Sequence, residues 1–583
     1  MMSKSARQPG FALLRDGPTW RLYRNPEKLL VAKDAEGFKE SICRVEEHVK
    51  HGGEATAVLR YEAGYALEPR LHPLLATIPG PLAWFGLYAN CTLSSSLSSL
   101  KGDNDELIEH PRLLIARDKY RSKIAAVRRL IQAGEVYQIN FTTRVCFEMK
   151  CSAWELFTAL FRRHPVPYAA FLNTGTEQIV SFSPELFFQI DRDHIVVRPM
   201  KGTAPRGRTL EEDLSRGEEL GASEKNRAEN VMIVDLMRSD LGRICRLGSV
   251  KTRNLFNVER YPSLWQMTST IEGKLVKGCR MESIVHALFP SGSVTGAPKI
   301  RAMEHIAALE DSPRGVYTGA VGFFAPKRAR FSVAIRTAEL HQKRGEMGVG
   351  GGITYDSVAA AEWEECEWKA EFLTRSQPEF KIFETLYWRS KYRFLKAHLV
   401  RMRDSAEYFD FRFDERKVRK ALRELGVRLS AAPHKVRIAL ARDGTLEVAH
   451  TDLGTVRFGR VRISGQRVSS KDRFLYHKTT NRRVYECELA ASRRAKCDDA
   501  LFLNEKGELT EGTIHNLFVV KSGVWRTPAV TCGLLPGTCR AQILRRRANA
   551  CEAILTLDEL IHADRVYLCN SVRGIFPAEI VWE

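Results

Sequence analysis

The sequence predicts an α+β protein with more than one domain, and three observations carry that expectation. The chain has 583 residues, too many for one ordinary core at about 150 residues per domain. Strand-like and helix-like segments are mixed but do not alternate strictly, which argues against a doubly wound sheet. Hydrophobic residues make up 44% and charged residues 27% of the chain, a composition that supplies sizeable apolar cores.

Taken in order, Met1 to Gly17 mixes charge and polarity without the apolar stretch of a signal peptide. Ser94 to Glu106 is Ser-rich and then acidic, and reads as a surface loop within the first half. Runs from Ile179, from Phe187, from Ile195 to Arg198 and from Phe331 to Arg336 read as strands. Ser223 to Met237 has helical spacing, with Ala228, Val231, Val234 and Met237 on one face. Thr374 to Glu379 interrupts a helical pattern and contains Pro378, and a strand restarts at Phe380. The main boundary is therefore expected near residue 377, dividing the chain into domains 1–376 and 377–583.

The net charge is +20. Lys and Arg are dispersed, without a long basic block or aromatic interleaving, so no nucleic-acid partner is expected. A basic surface that attracts small dianions fits the balance, as does a plain compositional bias. Thirteen cysteines, an odd number with no Cys-x-x-Cys pair, form neither a disulfide framework nor a zinc site. No apolar run reaches the roughly 18–20 residues that span a bilayer. A cytoplasmic protein without a membrane partner is expected.

Two lysines stand out. Lys201 follows the strand ending at Arg198, where Pro199 and Gly202 predict a turn. A nucleophilic lysine must lose a proton whose ordinary pKa is near 10.4, and burial or a cationic neighbour makes that easier. A lone lysine in a turn is more often a surface residue, so its surroundings decide. Ser183-Pro184-Glu185 precedes it by sixteen residues, and Glu229, Gly292 to Lys299, Arg314 to Tyr317 and Ala334 to Thr337 follow. Gly350-Gly351-Gly352 and Glu362-Trp363-Glu364-Glu365 come last. Three residues apart on a helix, Glu362 and Glu365 share a face and could hold Mg²⁺ with a carboxylate from elsewhere. The glycines let backbone N–H groups approach an anion, and Arg336 could fork onto a carboxylate.

This ordered set, with Gly134 to Asn140 upstream, resembles the chorismate-utilising family, which includes anthranilate, isochorismate and salicylate synthases and aminodeoxychorismate synthase component I. The resemblance covers roughly residues 30–375 and implies an α/β sandwich with large, mostly antiparallel sheets. It implies that Glu229, Glu362 and Glu365 ligate Mg²⁺, that Thr295, Tyr317, Arg336, Gly351 and Lys369 cradle chorismate, and that Glu185 is a general acid/base. Pro-x-Lys-Gly-Thr marks aminodeoxychorismate synthases, whereas anthranilate synthases typically carry Ala at the position of Lys201. By that resemblance Lys201 attacks ring carbon 2 as the carbon 4 hydroxyl leaves; ammonia then adds at carbon 4 and expels the lysine. His286 is read as structural, since the anthranilate-type histidine would fall at Ser283. No Gly-x-Cys-x-Gly elbow is present, so ammonia is expected free or from a separate glutamine amidotransferase.

The second lysine, Lys478, lies in Tyr476-His477-Lys478-Thr479-Thr480-Asn481-Arg482. Glu511, within Leu509 to Phe518, offers an acid partner for a pyridine nitrogen. Gly533 to Arg540 reads as a glycine turn opening a helix, whose N-terminus suits a phosphate, and Arg401 adds a cation. From 381 to 583 these residues resemble fold-type IV pyridoxal-phosphate enzymes, implying two subdomains. The resemblance implies that Lys478 bonds pyridoxal phosphate and that Glu511 pairs with its ring. Arg401, Thr538, Cys539 and Ser571 would bind its phosphate, with many relatives carrying Thr at the last two positions. Thr385, Lys-Thr-Thr-Asn-Arg and the fusion itself lean toward aminodeoxychorismate lyase, in which that Thr is a proposed proton donor. The whole is expected to convert chorismate and ammonia through aminodeoxychorismate to 4-aminobenzoate. An anthranilate-type synthase joined to a branched-chain or D-amino-acid transaminase stays open. Type IV relatives are usually dimeric, which points to a homodimer through the second half.

Overall fold

The computed structural model describes residues 2–95, 107–262, 264–374, 379–453 and 459–582. The boundary expected near residue 377 and most of the Ser94–Glu106 stretch lie outside the described residues. The chain forms two compact units, Met1–Ala204 with Glu219–Gln377, and Pro205–Glu218 with Pro378–Glu583. The second unit thus includes a short piece of chain from far upstream, which a boundary read along the sequence leaves with the first domain.

The first unit carries two ten-stranded, antiparallel sheets among its described residues. In one, Arg344–Ile353 pairs along its whole length with Gln138–Met149. In the other, Leu186–Asp191, His194–Arg198 and Leu264–Lys274 are neighbours. The expected strands at 179, 187 and 195 are present, and the strand expected from Phe331 runs Arg328–Val333, leaving Arg336 beyond its end. Lys201 departs from the expected turn: it is the second residue of a further strand, Met200–Pro205.

The expected helix spans Glu224–Gly242, N-capped by the Ser223 side chain on Asn226 N–H. Its buried face keeps Val234 and Met237 of the expected one but not Ala228 and Val231. Asn230, Ile233, Val234, Met237 and Leu241 are buried, whereas Val231 and Ala228 are exposed. The Ile233/Val234/Met237/Leu241 set follows the i, i+3, i+4 spacing of a helix face, whereas a strict three-residue spacing drifts off it toward Ala228 and Val231.

The second unit has three smaller sheets. Ile382–Arg389, His434–Leu440 and Leu446–Asp452 form an antiparallel run. Arg460–Val468 lies parallel to both Asp499–Asn504 and Glu579–Val581. Asn516–Lys521 and Arg565–Asn570 belong to the third sheet. Separate hydrophobic cores around Leu399, Met402 and Ile438 and around Leu501, Leu517 and Leu568 give two subdomains. Among the described residues, no helix is long and apolar enough to cross a membrane.

The upstream piece of the second unit is held by a buried ion pair. Arg206 Nε donates to Asp213 Oδ1 at 2.7 Å, and Gly207 N–H donates to the same oxygen at 2.8 Å. The Arg206 guanidinium stacks over the Tyr408 ring at 4.6 Å, and Tyr408 Oη donates to the Gly207 carbonyl at 2.6 Å. Both partners of the ion pair have at most 5% side-chain exposure, so removing one strands the other's charge. Asp213→Ala is expected to destabilise the second unit by about 3–5 kcal/mol. Hydrogen-exchange protection of amides in 378–583 measures this; protection equal to that of the parent would exclude a structural role for the piece.

Candidate active sites

The first unit encloses a cavity of about 350 Å³ bordered by Lys201, Glu185, Glu229, Glu362, Glu365 and Arg336. Tyr317, Gly351 and Lys369 also border it. Residues far apart in sequence therefore meet there, for identifiable local reasons. The helix Ala359–Ala370 buries Trp363 and Cys366, with Trp363 edge-on to Tyr120 at 5.4 Å. That packing turns Glu362, Glu365 and Lys369 toward the cavity. The strand Arg344–Ile353 passes beside them, and its glycines leave room that side chains would fill. A Cβ on Gly351 would lie 3.0 Å from Glu362 Oε2, and one on Gly352 would lie 3.3 Å from Lys201 Nζ.

Lys201 has its pKa lowered by burial, against the pull of Glu185 and Glu229. Burial pushes Glu185 up to about 7, against a hydrogen bond from Ser293 and the charge of Lys201. Ser293 Oγ donates to Glu185 Oε1 at 2.6 Å. Burial also raises Glu229 and Glu362. Glu362 accepts from Ser357 Oγ at 2.7 Å. Lys369 Nζ bonds both Glu365 Oε1 and the Gly350 carbonyl at 2.6 Å. Burial lowers Arg336 to about 10, and its backbone is left-handed, φ 50°, a strained conformation for a non-glycine residue.

The three acids supply only oxygen donors, two of them raised by burial, and so fit a hard divalent cation. Their ligand atoms are not drawn together as they stand. Among the described residues the trio with ligand atoms within 4.8 Å of one another is Glu177, Glu339 and His341, and two salt bridges from Arg60 already neutralise its acids.

Thr295 is not at the cavity wall. It is fully buried, and its hydroxyl donates to the Ser291 carbonyl at 3.1 Å. His286 is exposed and bonded to Arg243. Ser293, Lys225, Asn226, Gln266 and Trp368 border the cavity without having been picked out. Ser293 lies within the stretch Gly292 to Lys299, but nothing in its spacing from Glu185 signals the bond between them.

The second unit encloses another cavity of about 350 Å³, bordered by Lys478, Glu511, Arg401, Thr538, Cys539 and Ser571. Lys478 is placed by pairing. Its carbonyl accepts from Phe383 N–H at 2.9 Å, and Thr480 N–H donates to the Lys381 carbonyl at 2.9 Å, so Lys478 lies along the strand Ile382–Arg389. Its Nζ sits 4.8 Å from the Phe383 ring centroid. Burial, then the cations Arg401 and Arg482, lower it to about 7.

The preceding residue is locked on both ring nitrogens. His477 Nε2 lies 3.1 Å from the Arg208 carbonyl, which can only accept, so Nε2 carries the proton. Burial drives its pKa down to about 3, so the ring is neutral and Nδ1 accepts from Ser405 Oγ at 2.9 Å. The upstream piece 205–218 thus helps fix the backbone beside Lys478.

Burial raises Glu511 to about 7, opposed by the Leu535 N–H and the charges of Arg482 and Lys478. Leu535 N–H donates to Oε1 and Asn516 Nδ2 to Oε2, each at 3.0 Å. Arg401 forks onto Glu384 at 2.8 and 2.7 Å and reaches the Pro536 carbonyl at 3.1 Å. Although burial pushes Glu384 upward, Arg401 and His398 hold it well below the usual carboxylate range. The helix Thr538–Arg546 has no side-chain cap, and Gly537, Thr538 and Cys539 at its start border the cavity. An anion fits that helix end, and an acid-paired ring fits Glu511. Thr385 does not border the cavity; its carbonyl accepts from Ser571 Oγ at 3.0 Å.

A lysine near pKa 7 is largely an amine at pH 8, whereas surface lysines near 10.4 stay protonated. In cofactor-free protein, acylation of Lys478 is expected to reach half-maximal rate near pH 7, followed by peptide mass spectrometry. A midpoint above 9 would remove Lys478 as a poised amine.

Comparisons with known proteins match the chain in two consecutive stretches, the first running through the piece 205–218. Residues 8–375 match the chorismate binding enzyme family and residues 381–581 match amino-transferase class IV. Aminodeoxychorismate synthase of Streptomyces griseus is 43% identical over 261 residues, covering 44% of this chain and 36% of that one. Aminodeoxychorismate synthase component 1 of Bacillus subtilis is 37% identical over 270 residues, covering 46% and 57%. The chain thus spans between about a third and a little over half the length of these curated relatives. A solved anthranilate synthase component I from Streptococcus pneumoniae superposes with TM-score 0.51 at 26% identity, over 63% of this chain and 91% of that one.

Proposed function

We propose, for a chain that belongs to the chorismate binding enzyme family and carries an amino-transferase class IV segment, two consecutive reactions leading to 4-aminobenzoate. The first unit aminates chorismate to 4-amino-4-deoxychorismate, and the second eliminates pyruvate from it. The observation that carries this reading is Lys201 itself: an amine with a lowered pKa, beside Glu185, in a cavity bordered by three acids and Arg336.

In the first cavity Lys201 bonds ring carbon 2, and Glu185, protonated near neutrality, passes a proton to the departing carbon 4 hydroxyl. Ammonia then adds at carbon 4, the carbon 2 bond breaks, and Lys201 returns as an amine. Glu229, Glu362 and Glu365 would hold Mg²⁺, which neutralises a substrate carboxylate. Tyr317, Arg336, Gly351 and Lys369 orient the ring, Lys369 by exchanging Glu365 for substrate. Ammonia is supplied free or by a separate glutamine amidotransferase.

In the second cavity the fold implies pyridoxal phosphate, held by Lys478, Glu511, Arg401, Ser571 and the N–H groups of Thr538 and Cys539. When bound, its ring supplies an electron sink. Lys478 takes the proton from carbon 4 of the substrate ring as the carbon 3–oxygen bond breaks, and the departing enolpyruvate regains a proton from the Lys478 ammonium to leave as pyruvate. The lysine's depressed pKa lets it act as a base at neutral pH.

The deciding assay supplies chorismate, ammonium, Mg²⁺ and pyridoxal phosphate to the purified chain. 4-Aminobenzoate is the expected product, and anthranilate would overturn the role of Lys201. Lys201→Ala is expected to abolish amination, whereas Lys478→Ala accumulates aminodeoxychorismate; chromatography separates the two outcomes. Glu185→Gln is expected to slow amination by about 10²–10⁴-fold and to remove a pH–rate limb near 7. An unchanged limb would assign it to another group.

A further inference from the structure

Four arginines border the cavity of the second unit, Arg401, Arg467, Arg482 and Arg483. They are not equivalent. Arg401 is forked onto Glu384. Among the described residues no carboxylate lies within ion-pair distance of the other three. Arg467 donates to the Asn504 carbonyl at 3.1 Å. Arg483 is exposed. The two acids on the wall, Glu511 and Asp472, are committed to protein donors.

Arg482 is the informative one. It is half-buried, so its charge is partly desolvated, and among the described residues Glu511 acts on it only from beyond ion-pair distance. It is nonetheless held firmly. Nη2 donates to the Thr513 carbonyl, and the guanidinium lies 5.4 Å from the Tyr485 ring centroid. Tyr485 in turn donates to Glu511 at 3.3 Å. Two neutral anchors thus fix the guanidinium plane and, among the described residues, leave Nε and Nη1 without a protein acceptor. A planar fork fixed at a cavity wall and lacking an acid is preorganised for a carboxylate brought by a ligand.

We propose that Arg482 determines the specificity of this cavity by binding one carboxylate of a dicarboxylate amine whose nitrogen reaches Lys478. Arg467 and Arg483, at the exposed rim, draw in the second carboxylate. The inference rests on the second reaction proposed above, and it separates a dianionic ring substrate from an apolar or small amino acid. Arg401 and the uncapped helix end remain for the phosphate.

The test uses the full chain loaded with pyridoxal phosphate, as parent, Arg482→Gln and Arg482→Lys. Three quantities are read: the KM for aminodeoxychorismate, the visible absorbance of the bound cofactor, and the calorimetric affinity for isophthalate against benzoate. The expectation is a tenfold or greater rise in KM in both variants, unchanged cofactor absorbance, and loss of the parent's preference for isophthalate. Full recovery by Arg482→Lys would overturn the proposal, because charge alone would then suffice to tune Lys478. So would an unchanged KM and preference, or loss of cofactor absorbance, which would assign Arg482 to the phosphate. A parent that makes no 4-aminobenzoate from aminodeoxychorismate would defeat the lyase reading instead, and the isophthalate affinities would still decide Arg482.

Discussion

Desolvation of a primary amine is the constraint around which each unit is arranged. An ammonium in water loses its proton only near pH 10, and neither lysine could serve as nucleophile or base there. The two cavities tip the balance differently. Around Lys201 burial acts against two acids, and Glu185 is itself pushed toward the neutral form, which weakens its hold on the charge. Around Lys478 burial is joined by two cations, Arg401 and Arg482. The first arrangement suits an amine that must leave again as well as attack. The second suits one that keeps its lone pair available for a carbonyl carbon or a proton.

The same constraint explains why so much backbone is committed to these sites. Lys201 projects past a strand whose consecutive glycines clear the volume that side chains would take. Lys478 is paired through its own carbonyl to Phe383 and follows a histidine bound on both nitrogens. One of those bonds ends on Arg208, in the piece 205–218, anchored by the buried Arg206–Asp213 pair. A side chain that must stay uncharged tolerates little motion toward water, so its backbone is held at several points.

Much of the two cavity linings was legible because the family resemblance places particular residue types in a particular order. Glu185, Glu229, Glu362, Glu365, Tyr317, Arg336 and Lys369 border one cavity, and Lys478, Glu511, Arg401, Thr538, Cys539 and Ser571 border the other. What was not legible concerns direction and partnership. Thr295 and Thr385 stand where their motifs suggest, yet one hydroxyl turns to its own loop and the other residue meets Ser571 through its carbonyl. Ser293, Gln266 and Trp368 entered the first site with no local pattern to mark them. The helix at Glu224–Gly242 was legible as a helix, but its buried face was misjudged because a polar residue, Asn230, faces inward and bonds Ser269.

The sequence by itself determined the class of the fold, the match to two families and most of the named residues that line the two cavities. These depend on residue type and order, which the chain displays directly. Only the tertiary structure decided which hydroxyls face a cavity, that among the described residues no carboxylate lies within ion-pair distance of Arg482, and that residues 205–218 belong with the second unit. Those outcomes depend on strand pairing and packing between segments far apart in the chain, and no local pattern encodes the partner across the gap.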